Sequence, residues 1–77
     1  MIVPSMGVVE ALRRRFPVGS RVILDYMADP YKGMTAGMLG TVRHVDDIGT
    51  IHVRWDEGFS LGVCYGEDKC HRVNEDG

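Results

Sequence analysis

Residues 50–56 read Thr-Ile-His-Val-Arg-Trp-Asp, and they alternate without a break. Ile51, Val53 and Trp55 fall on one side, and His52, Arg54 and Asp56 on the other. Side-chain direction reverses at each residue of a strand, so this is a strand with one dry face and one wet face. That pattern belongs to antiparallel sheets. Turn signals bracket it: Asp46-Asp47-Ile48-Gly49 before and Asp56-Glu57-Gly58 after, each ending in a glycine suited to positive φ. The chain must therefore reverse at both ends of this strand, which predicts a meander.

The neighbouring segments agree. Residues 38–46 predict the preceding strand, and Phe59, Leu61 and Val63 alternate on the following one. Upstream, residues 20–26 (Ser-Arg-Val-Ile-Leu-Asp-Tyr) predict a first strand after a Pro-Val-Gly turn. A long loop, residues 27–37, carries Asp29-Pro30 and Gly33. Residues 66–68 predict a turn, 71–73 a short closing strand and 74–77 a tail. Five short strands with tight hairpins point to a mainly β chain closed into a small barrel, which leaves no edge strand open. The expected core is Val22, Leu24, Leu39, Val42, Val45, Ile51, Val53, Trp55, Phe59, Leu61 and Val63.

Before residue 16 the period changes. Val8, Val9 and Leu12 fall at helical spacing, with Ser5 as N-cap. Arg13, Arg14 and Arg15 sit where a helix C-terminus favours positive charge, and Pro17 and Gly19 stop it. The spacing predicts a helix over residues 5–15. The division is then a helix and lead-in over 1–16, a barrel over 17–73 and a tail over 74–77.

Charge narrows the functional classes. Residues 1–24 hold four arginines against one glutamate, whereas 25–77 hold five lysines and arginines against ten acids, for a net charge of -2. A basic leader precedes an acidic body, which argues against a phosphate-binding surface over the whole protein. No apolar run approaches the roughly 18 residues of a membrane span, and no signal-peptide pattern opens the chain, so a cytoplasmic location is expected and no membrane partner. The two cysteines, Cys64 and Cys70, are too few for a disulfide scaffold, and reduced thiols are expected.

Several strings occur in a fixed order: Arg15-Phe16-Pro17-Val18-Gly19-Ser20-Arg21-Val22, Met27-Ala28-Asp29-Pro30-Tyr31, Gly40-Thr41-Val42, Val45 through Val53, Trp55-Asp56-Glu57-Gly58, Leu61-Gly62-Val63 and Tyr65-Gly66-Glu67-Asp68. In that order they resemble the family catalogued as domain of unknown function 4314, over residues 13–73. The resemblance implies an SH3-like barrel, found in bacteria, phages and mobile elements. It supplies no catalytic residue. The Trp-Asp-x-Gly hairpin also looks like that of the Mind bomb and HERC-type substrate-binding modules, a short likeness that favours binding by analogy.

Three candidate sites follow. Tyr26 and Tyr31 flank the Asp29-Pro30 loop and Tyr65 follows the fourth strand; in SH3-like barrels such aromatics line a groove for an extended peptide. Tyr26, Asp29, Tyr31 and Tyr65 are therefore the expected protein-binding residues. Arg13, Arg14, Arg15 and Arg21 form the basic patch that an alternative, nucleic-acid-binding reading would use. Cys64, Cys70 and His71, with His44 or His52 as a fourth ligand, would serve a zinc-binding alternative, although the Cys-x5-Cys-His spacing is not that of a zinc knuckle or ribbon.

The weaker constellations have plainer explanations. Cys70 and His71 are strand neighbours that point to opposite faces, so they make a poor nucleophile–base pair. Asp46, Asp47, Asp56 and Glu57 read as turn residues rather than a cation site. The helix face of Val8, Val9 and Leu12, with Met1, Ile2 and Met6, is expected to pack on the barrel, with a dimer contact or a docked partner protein as the alternatives. The expectation is a non-catalytic module without a cofactor whose partner is another protein.

Overall fold

The computed structural model describes residues 3–28 and 33–74. The expected helix forms as α1, Met6–Arg15. Ser5 takes the N-cap position, extended at φ -67°, ψ 163°, and its Oγ accepts from the Val8 N–H at 3.3 Å. At the other end the Phe16 N–H closes on the Leu12 carbonyl at 2.8 Å. Five strands follow: β1 Arg21–Tyr26, β2 Leu39–Val45, β3 Thr50–Trp55, β4 Ser60–Cys64 and β5 Lys69–Arg72. The closing strand thus begins two residues before the segment its sequence suggested.

All pairings are antiparallel and the strand order is β4-β3-β2-β1-β5. Consecutive strands β1 to β4 form the meander that the turn glycines imply, and β5 returns to the free side of β1. The fold is mainly β, with a short N-terminal helix, as the sequence indicated. The ladder does not close: β4 and β5 touch but share no ladder among the described residues, so the strands form one open sheet.

Ten of the eleven expected core positions are buried or half-buried, and Trp55 and Val53 sit at its centre, 0% and 1% exposed. The Trp55 indole N–H donates to the Leu61 carbonyl at 3.1 Å, which satisfies its one polar atom inside the core. Phe16, Met34, Met38 and Cys70 complete the cluster. Leu39 is the miss, at 38% exposed. Gly40 and Val42 face inward, so the pleat turns Leu39 out whatever its hydropathy.

Val42 and Val45 are both buried although three residues apart, a spacing that a regular strand cannot bury on one face. The β2–β3 register shifts between Val42 and His44, so Arg43 is an extra residue that resets the pleat. The shift also brings His44 opposite His52, and the two rings stack at 4.2 Å with planes 12° apart.

The helix is held against the sheet at two places. Arg13 donates from Nε to the Val45 carbonyl at 3.1 Å and from its guanidinium to Asp47 at 2.8 Å. At Gly49 a Cβ would lie 2.7 Å from Pro4 Cγ and 3.2 Å from Tyr65 Cβ, with Leu12 beyond, so lead-in, helix and β4–β5 turn converge on this glycine. Its φ of 79° serves the turn and its missing side chain serves the packing. Val9 is fully buried and Leu12 packs on the core, while Met6 stays exposed, so the helix covers its own sheet with part of the expected apolar face. Met1 and Ile2 lie outside the described residues. No described helix is long and apolar enough to cross a membrane.

Candidate functional site

Where α1 leans over the open end of the sheet, a cleft of about 430 Å³ remains. Leu12, Phe16, Ile51, Val63 and Cys70 give it an apolar floor. Arg15, Asp25, Asp68, Lys69 and His71 line its polar rim, and Tyr65 stands beside Gly49 at one side. Apolar surface with a few convergent polar groups is the usual make-up of a binding cleft.

Each rim group is placed by local structure. Arg15 closes α1, and its guanidinium lies over the Phe16 ring, 5.1 Å from the centroid. His71 pairs across β1 with Ile23, and the β1–β5 register then shifts between Leu24 and Tyr26. Asp25 sits in that shift, and both its carboxylate oxygens lie 2.8 Å from His71 Nδ1. This pair, 46 positions apart, has no signal in the sequence beyond the two residue types. Asp68 is used structurally: Oδ1 accepts the Ala28 N–H and Oδ2 the Cys64 N–H, each at 2.9 Å, which ties the β4–β5 turn to the end of β1.

Of the expected protein-binding residues, Tyr65 lines this cleft and is 37% exposed. Tyr26 is 56% exposed at the end of β1 and does not line it. Asp29 and Tyr31 lie outside the described residues. Leu12, Asp25 and His71 carry no cleft signal in the sequence, because only the helix packing and the β1–β5 pairing bring them together.

The four arginines have different surroundings. Arg13 is bound to Val45 and Asp47. Arg21 makes a two-pronged pair with Asp56, at 2.8 and 2.6 Å, and also donates to Thr41 Oγ1 at 2.9 Å. That guanidinium holds the Asp56 carboxyl below the usual carboxylate range against a weaker opposing effect of desolvation, and Asp56 in turn raises Arg21. Arg14 is exposed, and Arg15 turns toward the cleft.

Cys64, Cys70 and His71 do not converge either. Among the described residues no three His, Cys, Asp or Glu side chains stand together in a way that would hold a metal ion. Cys70 is buried at 9% exposure and Cys64 is half-buried, and neither is in a disulfide. Burial first, and then the negative charge of Asp68, push the Cys64 thiol up, away from a thiolate nucleophile or ligand. His44 stacks on His52, and His52 Nε2 lies 2.8 Å from Asp46.

A family model described as a domain of unknown function (DUF4314) matches residues 5–73. No curated protein and no solved structure matches the chain significantly.

Proposed function

As the chain belongs to the DUF4314 family, we propose that this member is a non-catalytic module that binds another protein. The bacterial, phage or mobile-element setting and a cytoplasmic location go with that reading. The observation that carries it is the cleft: an apolar floor that includes Leu12, with Tyr65 beside it, rimmed by Arg15, Lys69 and the Asp25–His71 pair. Mixed apolar and charged lining suits a peptide side chain anchored in the floor and oriented by the rim. Tyr65 is the natural anchor on this side, because tyrosine offers large contact area for little lost side-chain freedom. The Arg13 and Arg21 pairs weaken the nucleic-acid alternative, because those charges already have carboxylate partners.

The test is selection of a displayed random-peptide library on the folded chain, with selected peptides mapped by backbone amide shifts. Enriched peptides should move the amides of Leu12, Tyr65 and His71, and Tyr65→Ala should weaken them about tenfold. A library that yields no enriched sequence, or binders indifferent to both Tyr65→Ala and Leu12→Ala, would refute the reading.

A further inference from the structure

The antiparallel ladder decides which backbone groups of β4 face β3. The Trp55 N–H donates to the Phe59 carbonyl at 2.8 Å, so these two residues form a bonded pair. By the register, Val53 with Leu61 and Ile51 with Val63 are the next bonded pairs. The N–H and C=O groups of Ser60, Gly62 and Cys64 therefore point away from the sheet. Those of Cys64 are used, by Asp68 Oδ2 and by the N–H groups of Glu67 and Asp68. Those of Ser60 and Gly62 have no partner among the described residues.

Among the described residues this edge also lacks the usual protection. Residues Ser60–Cys64 contain no charge, no proline and no bulge. The opposite edge, β5, carries Lys69, His71 and Arg72 and pairs through a register shift. Charges and irregular pairing are the usual protection of an edge, and β4 has neither. Along it runs a second groove of about 340 Å³, with Met27 and Ala28 on one side and Leu61 and Gly62 on the other. Glu67 and Asp68 also line it, and among the described residues no cation does. Asp68 is consumed by two backbone N–H groups, while Glu67 has no ion pair among the described residues. Asp68 lines this groove and the cleft alike, so the two adjoin around the β4–β5 turn.

We propose that β4 takes up an extended segment of the protein partner as an added strand. Its backbone pairs with Ser60 and Gly62, an apolar side chain rests on Met27 and Leu61, and a lysine or arginine meets Glu67. The proposal rests on the protein-binding reading and names the kind of segment that binds. A second copy of β4 is a poorer fit, because Ser60–Cys64 would bring no cation to Glu67.

The probe is a fluorescent peptide alternating valine and lysine, titrated into the full chain beside its valine–glutamate counterpart. The lysine peptide should bind about tenfold more tightly, and Glu67→Gln should narrow that difference. Chemical synthesis of the full chain allows N-methylation of the Gly62 amide. This removes the edge donor without adding a Cβ, which at this position would strike the Thr50 side chain. Lysine-peptide binding should then fall about tenfold or more, with the melting curve showing that the fold persists.

Absence of lysine-peptide binding, or binding untouched by N-methylation, overturns the proposal. If that untouched binding moves the amides of Leu12, Tyr65 and His71, the segment belongs in the cleft and the protein-binding reading stands. That reading falls with an empty library selection. Dimerisation in sedimentation that N-methylation abolishes would overturn the partner segment in favour of a second copy.

Discussion

One oxygen of Asp46 lies 2.8 Å from Nε2 of His52, and the other accepts the N–H groups of Ile48 at 3.1 Å and Thr50 at 2.9 Å. A single carboxylate thus closes the β2–β3 turn and fixes the first outward ring of β3. Its chemistry is visible in its acidity. Desolvation acts to raise the Asp46 pKa, but the His52 hydrogen bond and the two backbone N–H groups together lower it.

The sign of the pH effect follows. A carboxyl whose folded pKa lies below its unfolded value, about 4, stabilises the fold fully above that value. The contribution is lost as pH falls through the folded value. Asp56, lowered by Arg21, acts in the same direction. Urea unfolding across the acid range should show stability falling toward low pH, and Asp46→Asn should flatten that slope without abolishing it. Asp46→Ala should cost about 1–3 kcal/mol near neutral pH, because two turn N–H groups lose their acceptor. An unchanged acid slope in Asp46→Asn would show that the carboxylate is not carrying the turn.

Gly49 combines a φ of 79° with the closest approach of lead-in, helix and β4–β5 turn. Gly58 has a φ of 106° and open space around it. Both alanine variants suffer the left-handed backbone penalty, about 1–2 kcal/mol. Only Gly49→Ala also collides with Pro4 and Tyr65. It should therefore be the less stable by a further 1 kcal/mol or about that. Equal midpoints in denaturant would contradict the packing at Gly49.

Arg13 joins α1 to the sheet through a partly buried bond to a carbonyl and an exposed pair with Asp47. The exposed pair contributes little and is screened by salt. The bond to Val45 contributes about 1 kcal/mol. Arg13→Ala should therefore destabilise the chain by about that amount and speed amide exchange along α1, whereas Arg14→Ala should stay within about 0.5 kcal/mol of the parent. Matching exchange in the two variants would mean the helix is held by its apolar contacts alone.

The thiols should differ in reactivity. Cys64 is partly accessible but pushed up by burial and by Asp68, and Cys70 is buried. Mass spectrometry after alkylation at mild alkaline pH should show slow labelling of Cys64, accelerated by Asp68→Asn. Cys70 should be labelled only as the chain opens. Rapid labelling of Cys70 in the folded chain would contradict its place in the core.

What the sequence determined by itself is what near neighbours decide. Ile51, Val53 and Trp55 alternate because a strand reverses its side chains at each residue, and Ser5 caps α1 because a short hydroxyl reaches an N–H three residues on. Gly49 and Gly58 mark turns for equally local reasons. Strand neighbours had to be known for the rest. Asp25 meets His71 only because β5 returns to β1 with a shifted register, and Arg13 reaches Asp47 only because the helix crosses the β2–β3 turn. Arg43 resets the pleat of β2, so Val45 is buried, and the pleat before it turns Leu39 outward despite its hydropathy. Whether the sheet closes depends on where β4 and β5 come to lie, and with them the open edge of β4. These are long-range pairings, set by which packing of the whole chain buries the most apolar surface with its backbone groups satisfied, and residue order along the chain does not display that sum.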